Sequence, residues 1–357
     1  MQRLEGLKKV VYHSKLGTSY EKVMRIASLA DFLASRIDPS LGETVKRAAL
    51  LCKGDLITGM VGEFPSLQGV MGRVYARHSG EKEEVCLAVY EHYLPLSAGA
   101  ALPTSHPGAV LSIADKLDTV VGCFGVGLIP TGTADPYALR RQTLGIINIL
   151  LDRRYSLSLG GLIERSLSFL GEKIERPLQE IKADVLEFFK GRMQNLLITR
   201  GLSPDVVEAA MAVGFDDLVD LEARAQALHE LKKEPGFEPL AVAFKRVVNI
   251  AKSHPPGTVH PELFENPVEG KLFEAYRKTS QTAVDKIAQN AYPSALKELS
   301  LLRGPVDEFF DGVLVMAQDE RVKANRLSLL ANIAQLFFRI GDFSKITTAL
   351  ETVKGKM

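Results

Sequence analysis

Apolar residues recur at helical spacing along nearly the whole chain, while sustained alternation and runs of β-branched residues are almost absent. The pattern predicts an all-α fold. In EKVMRIASLADFLASRI, residues Val23, Ile26, Ala27, Ala30 and Leu33 form one stripe, and DPSLGET breaks it before VKRAALLCK resumes. SLQGVMGRVYARHSG and KEEVCLAVYEHYLP follow as a further helical pair. The loop SAGAALPTSHPGA leads into a helix begun by Ser105 or His106, with Pro107 in its first turn and Asp115 and Asp118 along it. DPYALRRQTLGIINILL predicts the next helix, capped by Asp135, with an inward stripe of Arg140, Leu144, Ile147 and Leu151. Further helices are expected in LGGLIERSLSFLGEKI, in PLQEIKADVLEFFKGRMQNLLITRG and across SPDVVEAAMAVGFDDLVDLEARAQALHELKK. The stretch from Lys252 to Gly270 holds four prolines, interrupts the periodicity and reads as the best linker or domain boundary. From about Lys271 the pattern is helical again, ending in the nearly continuous apolar run LSLLANIAQLFFRI.

Length changes this picture by asking for more than one core, since 357 residues exceed the ~250–300 at which single cores stop growing. Hydrophobic residues at 46% and charged residues at 24% describe a globular chain with ample apolar surface to bury. The net charge of +1 excludes a uniformly basic nucleic-acid coat but leaves room for local basic patches. Cys52, Cys86 and Cys123 form no CxxC pair, which argues against a disulfide framework or a zinc ribbon. The most apolar stretch, Val120 to Pro130, is about half a membrane-spanning length, and MQRLEGLKKV lacks an apolar signal core. We therefore expect a cytoplasmic protein without a membrane partner.

Chemistry concentrates in three places. Asp115 and Asp118 lie three apart on one side of an apolar helix, where buried carboxylates need a cation, a proton or donors. Either an arginine from a neighbouring helix satisfies them, with Arg140 as the expected partner, or they ligate a metal. His92 and His106 could join Asp55 and Asp115 in a hydrolytic metal site, although the spacing is equally that of helix-end histidines. Neither P-loop, nucleophile elbow, HExxH nor dinucleotide fingerprint occurs. Arg321, Lys323 and Arg326 precede the most apolar helix, so they surface at one end of a bundle. There they either solvate that end or meet phosphates, with Asn325 able to bond a base edge.

Three blocks resemble the β subunit family of the bacterial heterotetrameric glycyl-tRNA synthetase. They are KGDLITGMVGEFPSLQGVMGRVYA, ADKLDTVVGCFGVGLIPTGTADPYALRRQTLGIINILL and PVDEFFDGVLVMAQDERVKANRLSLL. LGTSYEKVMRI and FKRVVNIAK fit as well, so the resemblance covers essentially the whole chain, matching the C-terminal half of a longer subunit.

The resemblance implies a degenerate HD-like helical domain over 1–155, a helical linker or body region over 156–265 and an anticodon-binding helical bundle over 266–357. It implies no catalytic residue in this chain and no cofactor of its own, ATP and Mg being used at the α subunit. The expected partners are that α subunit, in an α2β2 heterotetramer, and tRNA(Gly). LLCKGDL has Asp55 but not the histidine of the HD pair, so the metal site at Asp55, His92 and Asp115 reads as lost. The alternative is a metal-dependent HD-type phosphohydrolase of nucleotides. Arg73, Arg77 and Arg141 become expected backbone contacts to the tRNA. Arg321, Lys323, Asn325 and Arg326 become expected contacts to its anticodon, with Lys323 and Val322 standing where the family usually has Arg and Leu.

Overall fold

A computed structural model describes residues 2–347, and the last ten residues of the expected C-terminal bundle, 348–357, lie outside them. The described chain is all-α apart from two short strands. It divides into two compact units, one running to Met193 with Asp216–Val219 added, the other formed by Gln194–Phe215 and the chain from Asp220 onward.

The first unit carries α1 (Gln2–Gly6), β1 (Val11–His13), β2 (Gly17–Thr18), α2 (Ser19–Ile37), α3 (Gly42–Leu51), α4 (Gly59–Glu63), α5 (Val70–His78), α6 (Glu83–Glu91), α7 (His106–Gly125), α8 (Leu139–Arg153) and α9 (Leu159–Leu170). β1 and β2 pair antiparallel, Val11 opposite Thr18 and His13 opposite Gly17. Every residue of α7 from Pro107 to Gly125 is buried, which makes it the axis of the unit, with α2, α3, α6, α8 and α9 packed around it. Its start follows the expected signals: Ser105 accepts from the Gly108 backbone and Pro107 sits in the first turn. Glu91, 2% exposed, adds an anion at that helix N-terminus and accepts from the backbone and hydroxyls of Thr104 and Ser105. Gly108 is required there, because a Cβ would come within 2.2 Å of the Glu91 carboxylate.

The second unit carries α11 (Pro204–Ala212), α13 (Phe237–Ala251), α14 (Pro267–Ala288), α15 (Tyr292–Ser300), α16 (Arg303–Gly312) and α17 (Glu320–Phe338), while α10 (Leu178–Thr199) and α12 (Leu218–Lys232) have residues in both units. Its core is aromatic: Phe244 of α13 and Phe337 of α17 have ring centroids 3.6 Å apart, and Phe343 meets Phe337 edge-on at 5.2 Å.

Two features correct the sequence-based organisation. The expected first domain does not end at 155, because Leu159, Leu162, Ile163, Ser166, Leu167 and Leu170 bury α9 against α2 and α7. The proline-rich stretch is not a free linker either. Asn325 of α17 accepts from His260 N at 2.7 Å and donates to His260 O at 3.0 Å. Asn332, two turns later, makes the same pair of bonds to Gly257 at 3.2 and 2.8 Å, and Ser328 between them bonds His254 at 3.0 Å. The amides thus stand in for a strand partner that prolines cannot provide.

Candidate functional site

In the first unit the two aspartates of α7 are both paired, and their partners come from α2 and the turn after α3. Asp118, 2% exposed, accepts from Arg25 Nε at 2.6 Å, Arg25 Nη2 at 3.2 Å and Lys22 Nζ at 3.0 Å. Asp115 faces Lys53 Nζ at 2.7 Å and Lys22 Nζ at 3.0 Å. Burial opposes ionisation of Asp115, yet the Lys22 and Lys53 ammoniums overcome it and hold the carboxyl well below the usual range. His92 is fully buried, its Nδ1 bonded to Val89 O at 2.6 Å and its Nε2 2.9 Å from Lys53 Nζ. Burial first, then the Lys53 charge, pushes its pKa well down, so the neutral ring donates to Val89 and accepts from Lys53.

The expected structural role of Asp115 and Asp118 stands, but Arg140 is not their partner. It donates to Gly132 O at 2.7 Å on the exposed side. The reason is position: α8 starts at Leu139 rather than Pro136, so Arg140 stands in its first turn and turns out to the preceding loop, while Ile147 and Leu151 of the expected stripe are buried. Asp135 still caps, accepting from Leu139 N at 2.7 Å and Arg140 N at 3.0 Å. His106 bonds the Tyr155 hydroxyl at 2.5 Å.

The residues named for a metal do not fit one. Lys53 Nζ lies between His92 Nε2 and Asp115, while Asp55 turns to the backbone N–H groups of Gly69 at 2.7 Å and Gly72 at 3.0 Å. Among the described residues, no three His, Cys, Asp or Glu side chains gather as a metal group. The Asp55 bonds also explain part of the MVGEFPSLQGVMG string, since Gly69 has φ +81° and a Cβ on Gly72 would come within 3.1 Å of Asp55. An aspartate ahead of a Gly-x-x-Gly pair was the signal available for this contact.

In front of Asp115 opens a cleft of about 400 Å³ whose lining includes Lys22, Lys53, Lys116 and Arg141 among Tyr12, Tyr93 and Tyr137. Lys116 Nζ donates to Leu94 O at 2.8 Å, Ser112 Oγ at 2.8 Å and His92 O at 3.1 Å. Burial brings its pKa down to about 7, with Asp115 opposing and Lys53, Lys22 and Arg141 reinforcing the shift. Unfolded, the amine titrates near 10.5, so across the window from about 7 to 10.5 the folded state holds fewer protons and this group makes stability rise with pH. Lys116→Met is expected to remove that rise, read as the difference in urea midpoint between wild type and variant from about pH 7 to 10; parallel profiles would count against it.

Of the expected surface cations, Arg141 is exposed and lines the cleft. Arg73 and Arg77 converge on Glu83, Arg73 Nη2 at 2.6 Å and Arg77 Nε at 2.9 Å. At α17 the four expected anticodon residues separate into two pairs. Arg321 is exposed and its side chain makes no bond among the described residues, and Lys323 is half-buried with a bond to Glu320 at 3.2 Å. Asn325 and Arg326 are buried at 4% and 6% exposure, and their expected RNA contacts are corrected. Both groups of the Asn325 amide are spent on His260, as described above. Arg326 Nε and Nη2 hold Glu269 at 2.8 and 3.2 Å, Nη2 reaches Glu265 at 2.9 Å and Nη1 donates to Leu314 O at 3.1 Å. Leu314 and Met316, on the loop so fastened, are 75% and 57% exposed. No helix among the described residues is long and apolar enough to cross a membrane.

The family model described as glycyl-tRNA synthetase beta subunit matches residues 1–212. A glycine–tRNA ligase beta subunit of Syntrophus aciditrophicus (strain SB) is 52% identical over 346 residues, covering 97% of this chain and 50% of that protein. Proteins of the same name from Geobacter metallireducens and Trichlorobacter lovleyi are 55% and 54% identical, each over 344 residues, 96% of this chain and 50% of theirs. The chain spans about half the length of the curated relatives it matches.

Proposed function

The chain belongs to the glycyl-tRNA synthetase β subunit family, and from that premise we propose that it is the tRNA-binding, C-terminal half of the β subunit of a glycine–tRNA ligase. It holds tRNA(Gly) while ATP-dependent aminoacylation, with Mg, proceeds at the active site of an α subunit in an α2β2 complex. The first unit is an HD-like domain in which the Lys53 ammonium stands among the old ligand positions, and it contributes Arg73, Arg77 and Arg141 to the RNA backbone. The chain itself forms no bond to glycine or ATP.

One observation carries the RNA reading. At the start of α17, exposed Leu314 and Met316 lie on a loop fastened by Arg326, and the exposed Arg321 side chain makes no hydrogen bond among the described residues. Unstacked bases need apolar surface to lie on and cations for the adjoining phosphates, and this end offers both on a rigid helix. Buried Arg326 acts one step back, by fixing the loop. Contacts at two separate places on one tRNA add through effective concentration, so moderate contacts hold the acceptor end in a defined geometry.

Arg321→Ala combined with Lys323→Ala is expected to weaken tRNA(Gly) binding about tenfold and to lower the slope of log K against log salt by about 2, one for each lost phosphate contact. Filter binding across a salt series, with the unfolding midpoint as control, reads this; an unchanged slope in a folded variant would remove these residues from the interface.

A further inference from the structure

We propose that the cleft in front of Asp115 is a binding site for the phosphate of a nucleoside 5′-monophosphate group, held by Arg141, Lys53 and the Tyr93 hydroxyl. The inference rests on the cleft alone and stands whether or not α17 reads RNA.

Charge comes first. Three full cations, Lys22, Lys53 and Arg141, line the cleft with Lys116, which burial brings to about 7, against the single lining carboxylate of Asp115. Behind them Asp118 is shared by Arg25 and Lys22, and Asp55 is turned to the amides of Gly69 and Gly72. Positive charge is therefore left over in a site walled by buried side chains, where a field is screened less than at an open surface. A ligand that restores balance carries more than one negative charge, as a phosphate monoester does and a carboxylate or phosphodiester does not.

Unused donors come second. The Tyr93 hydroxyl is buried and has no hydrogen-bond partner among the described residues, and such groups are rare enough to require an explanation. The Arg141 guanidinium is exposed and makes no bond among the described residues. Lys53 spends one N–H on Asp115 and one on His92, and its ammonium also lies 4.0 Å from the centroid of the Tyr93 ring, so it brings positive charge to the site rather than an idle donor. The Arg141 fork, the Tyr93 hydroxyl and the Lys53 charge, on three different segments of the first unit, suit the terminal oxygens of a phosphate monoester, the guanidinium engaging two of them together. Size agrees: about 400 Å³ falls within the range of small-molecule sites and exceeds what inorganic phosphate fills. The rings of Tyr12, Tyr93 and Tyr137 add the flat apolar surface that a ribose and base can occupy.

The nucleotide has two possible sources, a free mononucleotide or the 5′-phosphorylated end of an RNA chain. Titration calorimetry with AMP and with adenosine tests the site, and a short oligoribonucleotide with a 5′-phosphate or a 5′-hydroxyl tests the source. AMP is expected to bind at least about tenfold more tightly than adenosine. Arg141→Ala is expected to weaken AMP about tenfold and Tyr93→Phe about threefold, in proteins that melt as the wild type does, since neither the guanidinium nor the hydroxyl makes a hydrogen bond among the described residues. Displacement of AMP by the 5′-phosphorylated oligonucleotide alone assigns the site to an RNA end; failure of both oligonucleotides to displace it assigns the site to a free nucleotide. AMP binding no tighter than adenosine, or unaltered in both variants, overturns the proposal. The Arg321→Ala and Lys323→Ala variant should bind AMP as the wild type does, which separates this site from the reading of α17.

Discussion

Asp118→Ala is expected to destabilise the protein by about 3–5 kcal/mol, the largest effect of any single substitution in the first unit. The carboxylate is 2% exposed and is the counter-charge of Arg25 and, jointly with Asp115, of Lys22. Removing it strands a guanidinium and half-strands an ammonium beside α7, where every neighbouring residue is buried. Among its described hydrogen bonds Arg25 then retains that to Leu16 O, at 3.2 Å. Asp118→Asn keeps the volume but not the charge and should recover only part of the loss. Arg140→Ala is the informative control: its one bond, to Gly132 O, is exposed, so it should cost less than about 1 kcal/mol. Urea unfolding followed through amide exchange in α7 measures all three. A large effect at Arg140 with a small one at Asp118 would mean that the carboxylates are paired differently.

Arg326→Ala is expected to cost a similar ~3–5 kcal/mol in the second unit, with tRNA binding lost as a consequence of unfolding around α17. Glu269, 1% exposed, depends on Arg326 for its charge balance and also caps α14 by accepting from the backbones of Glu265 and Asn266, each at 2.8 Å. Truncation therefore leaves a buried carboxylate and loosens the loop held through Leu314 O. Glu269→Gln should rescue part of the stability of Arg326→Ala, since it removes the stranded charge. Arg321→Ala, by contrast, should leave the midpoint within about 0.5 kcal/mol. If Arg326→Ala melted as the wild type does while binding tRNA weakly, the residue would be a direct RNA contact instead.

These contrasts mark what could be read from sequence. The helices, the capping of α7 by Ser105 and Pro107 and the burial of Asp115 and Asp118 follow from local periodicity and local hydrogen-bonding rules, which need only neighbouring residues. The partner of Asp118 does not: Arg25 lies 93 positions away on α2, and no spacing rule joins them. The choice of Arg140 failed for a local reason. Asp135 caps α8 from a turn that ends in Ala138 at φ +52°, so the helix starts later and Arg140 falls in its first turn beside the loop carbonyl of Gly132, while Ile147 and Leu151 of the same stripe are buried. Arg326 and Arg321 look alike in DERVKANRL, but five residues of α17 place one inside and the other outside. Asn325 was legible as a hydrogen-bonding side chain, while its partner, the backbone of a proline-rich segment, emerges only once that segment folds onto α17.

The most direct measurement compares the affinity of the chain for tRNA(Gly) with that for the same tRNA bearing an altered anticodon, at one salt concentration of about 0.15 M, the physiological ionic strength. If the exposed end of α17 reads bases, the altered tRNA binds about tenfold more weakly, and the difference disappears in the folded Arg321→Ala and Lys323→Ala variant. Equal affinity for the two tRNAs in the wild type would contradict an anticodon-reading role for this end of the molecule.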